Sequence, residues 1–261
     1  MKGLTHKEWY ILNAIYPIAY FRQAKNGKAL LVKRSSILQQ KRSIYQEQAT
    51  RGKITKLSRK SLSKLAFVAQ VTAHRFQSIL TLTFCKVVKS GRLVKTALKM
   101  VLGYLQTIHP GIEWLWWLEF QKRGSPHFHI LLSENVSRET HILLAVKWAE
   151  LQQLNDKEWL KAYNVTAHRN SWEALRSKDG AAGYVTQYAK KKHQKEVPEG
   201  YTNVGRFWGI KPGLVEKCLD KAVISDQSEV KAMLHDLRPE LENWEFYPKY
   251  ISLFDKSQSA V

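Results

Sequence analysis

The hydrophobic pattern in the middle of the chain predicts a β-hairpin. Two runs, Trp114–Phe120 (WLWWLEF) and 127–132 (HFHILL), are rich in the aromatic and branched side chains that strands prefer. Between them lies the segment QKRGSP, in which Gly and Pro favour a turn. Because side chains alternate along a strand, His127 and His129 share one face and the phenylalanine between them points to the core. Glu119 lies on the paired strand, within reach of both imidazoles.

Other periodic segments predict the elements around this hairpin. Apolar residues recur at helical spacing in 61–76, 93–108, 137–154 and 180–192. Strands are predicted at 19–23, 29–33, 79–84, 163–169 and 204–210. A capping box begins a short helix at Thr5, and two acidic amphipathic stretches close the chain at 228–236 and 240–253. This order predicts an α+β fold with a mainly antiparallel sheet.

The positive charge is concentrated in the first part of the chain. The 261 residues have a net charge of +20, and residues 1–100 contain 21 Lys and Arg but only Glu8 and Glu47 as acids. Such a polycation favours nucleic acid or an anionic membrane as partner. We expect no membrane role, because the sequence has no apolar run of about 20 residues and no signal-peptide core. Cys85 and Cys218 form no disulfide or metal pattern, which favours the cytoplasm.

Two groups of residues suggest chemistry. His127, His129 and Glu119 converge from rigid strands and are plausible ligands of a divalent metal, although ordinary surface histidines are the alternative. Tyr184 and Tyr188 are four residues apart on a predicted helix, so both phenols emerge from one face. A phenol with a pKa of about 10 is a weak nucleophile, but it can attack a phosphodiester whose oxygens bind a cation. Amphipathic packing is the alternative for the tyrosines.

Three motifs in order carry a family resemblance. They are TLTF (81–84), the E-x7-H-F-H constellation, and Y-x3-Y followed by lysines. With these motifs the chain resembles the HUH (His-hydrophobic-His) endonucleases, and within them the rolling-circle replication initiators of bacterial plasmids and small phages. The resemblance covers residues 58–210. It implies a central, mainly antiparallel five-stranded sheet flanked by helices, with a basic N-terminal DNA-binding extension (1–57), a catalytic domain (58–215) and a C-terminal helical segment (216–261).

The resemblance also implies roles for individual residues. His127, His129 and Glu119 would bind Mn²⁺ or Mg²⁺, with Gln121 as a possible substitute for the carboxylate. Tyr188 followed by Lys191 fits relatives with one nucleophilic tyrosine, and Tyr184 with Tyr188 fits relatives with two; we prefer Tyr188. Thr81 and Thr83 are given a structural role. The expected DNA contacts are Lys190, Lys192, Arg123, Arg206 and Trp208, of which Arg206 and Trp208 are equally compatible with capping the core.

The implied function is metal-dependent, site-specific nicking and joining of single-stranded DNA through a 5′-phosphotyrosine intermediate. The implied partners are single-stranded or hairpin origin DNA and a host helicase and polymerase in the bacterial cytoplasm. The sequence has no P-loop, so strand separation would come from the host or from supercoiling. The alternatives are a single-strand HUH transposase and a non-catalytic basic DNA-binding protein of the same fold. A metal hydrolase acting on unrelated substrates is a third.

Overall fold

The structure is a computed structural model that divides the chain into two units. One unit consists of Met1–Gly52 together with Cys218–Val261, and the other of Lys53–Lys217. The structure describes residues 18–25, 29–34, 53–177, 180–190, 195–220, 223–226 and 249–252. No helix in these ranges is both long enough and apolar enough to cross a membrane.

The elements are numbered in chain order. The strands are β1 (Ile18–Gln23), β2 (Ala29–Arg34), β3 (Ser78–Thr83), β4 (Trp114–Phe120), β5 (Pro126–Leu132), β6 (Trp172–Ala174), β7 (Trp208–Ile210), β8 (Val223–Asp226) and β9 (Lys249–Ser252). The α-helices are α1 (Arg59–Thr72), α2 (Gly91–Ile108), α3 (Arg138–Glu150), α4 (Asp156–Ala167), α5 (Gly180–Lys190) and α6 (Leu214–Lys217).

The unit formed by the two ends of the chain contains a four-stranded antiparallel sheet. Its order is β8-β1-β2-β9, and the pairing of β1 with β2 confirms the predicted first hairpin. The expectation of a helical C-terminal segment is wrong at β8 and β9. The predicted helix at Thr5, the basic residues 35–52 and the acidic stretch 228–236 lie outside the described residues, as does most of 240–253.

The unit 53–217 is built on a five-stranded sheet in the order β6-β3-β5-β4-β7, in which every pair is antiparallel. The central hairpin is present as β4 and β5, and β5 is the middle strand. These findings confirm the predicted α+β class and the five-stranded antiparallel sheet. Because β5 is paired on both sides, its side chains are held in register by two neighbours.

Helices cover both faces of this sheet. On the face that carries the histidines, α5 places Tyr188 near Trp117, and α1 packs against α5. On the opposite face, α2 places Lys95 over the rings of Trp116 and Phe128. Helix α3 packs between α2 and α4. The sheet thus has one face for a site and one face for a large apolar core.

The turn between β4 and β5 is tied to the end of β3. Gly124 has φ +81°, a backbone region that favours glycine. Arg123 donates from Nη1 to the Cys85 carbonyl at 2.9 Å and from Nη2 to the Phe84 carbonyl at 2.7 Å. The buried hydroxyl of Ser125 donates to the same Phe84 oxygen at 2.9 Å. The turn therefore fixes the ends of three strands together.

The predicted strand at 163–169 is wrong. Helix α4 continues to Ala167, and a 3₁₀ turn follows at Arg169–Ser171. The helix begins at a capping box, in which Asn155 accepts from the Glu158 backbone and the Glu158 side chain accepts from the Asn155 backbone. This N-terminal signal outweighs the β-branched and aromatic residues near the end of the segment.

Candidate metal and tyrosine site

The two histidines of β5 are flanked by threonines of β3. His127 is paired with Thr83 and His129 with Thr81 across the ladder. Thr83 Oγ1 lies 2.7 Å from His127 Nδ1, and Thr81 Oγ1 lies 3.2 Å from His129 Nδ1. The imidazole ring centroids are 4.6 Å apart. Each hydroxyl orients one ring nitrogen and leaves Nε2 as the nitrogen for a further ligand, an arrangement that is common around metal-binding histidines.

Glu119 approaches the histidines from β4. It is the cross-strand neighbour of His127, yet its Oε2 lies 3.5 Å from Nε2 of His129. The Glu119 side chain is only 5% exposed. A buried carboxylate needs a charged or hydrogen-bonding partner, so this position favours a cation or a protonated imidazole beside it. Gln121, the possible substitute, accepts a hydrogen bond from Arg123 Nε at 3.0 Å instead.

The donor types suit a divalent metal better than the present spacing does. Two imidazoles and a carboxylate are a common set of ligands for Mn²⁺ or Zn²⁺. Within the described ranges, however, no group of three or more His, Cys, Asp or Glu side chains is gathered closely enough to hold a metal ion. The two contacts at His129 therefore form part of a site whose third side would close on binding.

Tyr188 lies next to this group of residues. Its ring centroid is 5.9 Å from that of Trp117, which in turn stacks on His129 at 5.2 Å. The phenol donates a hydrogen bond to the Leu118 carbonyl at 3.1 Å, and the residue is 1% exposed. Burial raises the pKa of Tyr188, and the negative charge of Glu119 raises it further. Tyr188 is therefore a neutral phenol adjoining the histidine face.

Tyr184 lies one turn earlier on α5 and has a different partner. Its phenol donates to Glu173 Oε2 on the edge strand β6 at 2.7 Å. Burial raises the pKa of Tyr184 to about 12, with further contributions from the hydrogen bond and the charge of Glu173. The structure thus gives the two tyrosines unequal surroundings, one beside the predicted ligands and one at the edge of the sheet.

One residue at this site was missed by sequence reasoning. Lys195 places its Nζ 5.6 Å from the centroid of the Tyr188 ring. Burial lowers the pKa of Lys195, and the charge of Glu119 acts in the opposite direction. The only available signal was its place a few residues beyond the lysine cluster. Lys191 and Lys192 lie outside the described residues, and α5 ends at Lys190.

The remaining predicted DNA contacts are dispersed. Arg123 is engaged in the turn contacts given above. Arg206 is exposed, and Trp208 is half-buried with Nε1 donating to Ser61 Oγ at 3.0 Å. Trp208 therefore joins β7 to α1, and Arg206 is the more available of the two for a ligand.

The site and fold define a class. An antiparallel five-stranded sheet carries a His-hydrophobic-His pair on its middle strand, and a helix with tyrosines covers that face, as the resemblance to the HUH endonucleases implied. Residues 77–193, from β3 through α5, match the family of replication-associated proteins of the ORF2 type. This segment is therefore of the Rep type, which confirms the predicted resemblance.

Two further comparisons add little. The chain has 15% sequence identity to the N-terminal nuclease domain of minute virus of mice non-structural protein 1, with 66% of this chain and 73% of that chain covered. The TM-score is 0.21, so the fold is assigned from the sheet topology alone. No protein of curated function matches the chain significantly.

Proposed function

We propose that this protein initiates rolling-circle replication by nicking and rejoining single-stranded DNA through a covalent tyrosine intermediate. The observation that carries the proposal is the adjacency of Tyr188 to a histidine pair on the central strand. Trp117 lies between them, in contact with both rings. A packed phenol and two oriented imidazoles on one rigid sheet meet the requirement for a preorganised site.

His127, His129 and Glu119 are the residues that would hold a divalent cation, with Thr81 and Thr83 orienting the imidazoles. When bound, such a cation would withdraw charge from the phosphate and favour nucleophilic attack on phosphorus. The donor set accommodates Mn²⁺, Mg²⁺ or Zn²⁺, with imidazoles favouring the transition metals.

The reaction assigned to Tyr188 is a transesterification. The phenol loses its proton as its oxygen forms a bond to phosphorus, and the bond from phosphorus to the 3′ oxygen breaks. The departing 3′ oxygen takes up a proton and becomes a hydroxyl, while the 5′ phosphate stays on the tyrosine. Attack by a 3′ hydroxyl reverses these steps and joins the strand. Lys195 lies where its charge would offset the negative charge that develops at the phosphate.

Tyr184 is the second candidate nucleophile. Its hydrogen bond to Glu173 gives it a carboxylate that can accept the phenolic proton, a partner that Tyr188 lacks in its bond to a backbone carbonyl. A division of labour between cleavage and joining would use both tyrosines.

The test is a covalent adduct on a denaturing gel after incubation of the protein with labelled single-stranded DNA and Mn²⁺. We expect an adduct that disappears in Tyr188→Phe and in the Tyr184/Tyr188 double variant. Tyr163→Phe is the matched control, since Tyr163 stacks on Trp159 in α4, away from the sheet strands that carry the site. An undiminished adduct in the double variant would refute the tyrosine assignment. Binding without any adduct would favour a non-catalytic DNA-binding protein of this fold.

A further inference from the structure

A short backbone pairing brings basic residues to the tyrosine. The Leu57 amide donates to the Lys195 carbonyl at 3.0 Å, and the Val197 amide donates to the Thr55 carbonyl at 2.8 Å. Lys56 is paired with Glu196 in the same antiparallel bridge. The segment before α1 is thereby fixed alongside the segment that carries Lys195.

A second connection fixes the start of α1 to the edge strand β7. Ser58 caps the helix by accepting a hydrogen bond from the Ser61 amide, and the Ser61 hydroxyl accepts from Trp208 Nε1 at 3.0 Å. Arg206 lies two residues before this tryptophan. Arg59 and Lys60 in the first helical turn and Arg206 are therefore held along the same edge of the sheet.

Both connections lead back to the backbone of Leu118. Its amide donates to the Phe207 carbonyl at 2.7 Å, and its carbonyl accepts from the Tyr188 phenol at 3.1 Å. Lys195 reaches the other side of the same tyrosine. The basic residues thus form a surface that begins at Tyr188 and extends outward past β7.

The charges on this surface are not explained by the stability of the fold. Lys56, Arg59, Lys60 and Arg206 are exposed, and within the part of the chain that the structure describes none of them is in an ion pair. Arg59 and Lys60 occupy the first turn of α1, which contains no acid. Cations there are opposed by the helix dipole. Glu196 is the single acid among residues 53–61, 195–197 and 206–208.

We propose that single-stranded DNA bound at Tyr188 continues over a basic strip, defined as Lys56, Arg59, Lys60, Lys195 and Arg206. This inference rests on the proposed function, since it gives the path of the same strand. A line of cations beginning at a narrow site follows one phosphate backbone, as in other single-strand channels. The strip would bind without regard to base sequence, because it offers charge and no base-reading pattern.

The experiment measures binding in a Tyr188→Phe chain, so that it does not depend on strand cleavage. Lys56, Arg59 and Lys60 are changed together to Gln, and affinity for a fluorescent thymidine oligonucleotide is followed by anisotropy over a range of salt concentrations. We expect about tenfold weaker binding and a salt slope that falls by about 2, since each single-strand phosphate contact contributes about 0.7. The matched control changes Lys99, Lys157 and Lys161, which are equally exposed on α2 and α4, and should leave the slope unchanged.

A second measurement uses no charge variant. In the same Tyr188→Phe chain, DNA should protect Lys56, Lys60 and Lys195 from acetylation while Lys99, Lys157 and Lys161 remain reactive. Equal loss of affinity in the two triple variants, or equal protection of the two groups of lysines, would overturn the strip and leave the proposed function standing. A preference for duplex DNA or anionic vesicles over the oligonucleotide would also overturn it. Failure of the parent chain to bind the oligonucleotide would overturn both proposals.

Discussion

At the scale of single residues, the threonines of β3 are as informative as the histidines they contact. A hydroxyl at Nδ1 fixes the orientation of each ring, so its loss should weaken a metal ligand without removing it. We predict that Thr83→Val lowers Mn²⁺ affinity about tenfold, measured by calorimetry, because outer-shell partners typically contribute a factor of this size. Thr107→Val is the control, since that hydroxyl bonds only a carbonyl of its own helix. Unchanged affinity in Thr83→Val would contradict an orienting role.

Tyr184 gives a second prediction at this scale. The charge and hydrogen bond of Glu173 contribute to its pKa of about 12, and burial contributes most. Glu173→Gln removes the charge, so the pKa of Tyr184 should fall toward the ordinary value near 10. Ultraviolet titration of phenolate, with Tyr184→Phe to identify the signal, measures the change. A pKa that stays near 12 in Glu173→Gln would show that burial alone is responsible.

At the scale of elements, helix α2 contains a buried cation. Lys95 Nζ is buried without a hydrogen-bond partner over the rings of Trp116 and Phe128, although the residue as a whole is partly exposed. Burial lowers the pKa of Lys95 to about 7 from 10.5. Below pH 7 both folded and unfolded chains hold the proton, so the folded state bears the full cost. Between pH 7 and 10.5 the unfolded chain binds more protons, and stability rises with pH.

Replacing this lysine should therefore stabilise the protein. The shift corresponds to at most about 5 kcal/mol, at 1.36 kcal/mol per unit, and the aromatic faces offset part of it. We predict that Lys95→Met raises the free energy of unfolding by about 2 kcal/mol at pH 6 and flattens its rise above pH 7, as measured by denaturant titration. Lys99→Met, on the exposed side of α2, should change neither. A stability curve with the same slope in Lys95→Met and in the original chain would contradict this account.

The elements also show where sequence reasoning succeeds and fails. The hairpin of β4 and β5 was predictable because two apolar runs flank a turn with Gly124 and Pro126, and the alternation placed both histidines on one face. The helix at 91–108 was predictable, but its apolar side was not fully so. Leu93 was expected to face the core and is 63% exposed, whereas Lys95 is the residue whose amine is enclosed.

The site was predictable in its residue types but not in its partners. Periodicity placed Tyr184 and Tyr188 on one helix face, yet tertiary packing decides that one phenol meets a backbone carbonyl and the other meets Glu173. Lys195 approaches Tyr188 through a backbone pairing with a segment more than 130 residues earlier, which no local pattern reveals. Contacts of this kind depend on the whole fold.

At the scale of the whole molecule, positive charge and catalytic fold belong to different stretches of chain. Residues 1–52 contain ten Lys and Arg against two acids, outside the unit Lys53–Lys217. We propose that this unit is the catalytic one and predict that a fragment of these residues folds and forms the same covalent adduct. It should bind single-stranded DNA more weakly and with a smaller salt slope, because fewer counterions are released. An unchanged slope would show that residues 1–52 make no phosphate contacts.

The central claim is that a tyrosine of α5 becomes joined to the 5′ phosphate of a cleaved strand. The most direct measurement is mass spectrometry of the protease-digested adduct, formed with Mn²⁺ and trimmed by nuclease. We predict a nucleotide attached to the peptide that contains Tyr188, with fragment ions that place it on the phenolic oxygen. A nucleotide on any residue other than Tyr188 or Tyr184, or cleaved DNA with no modified peptide, would contradict the claim.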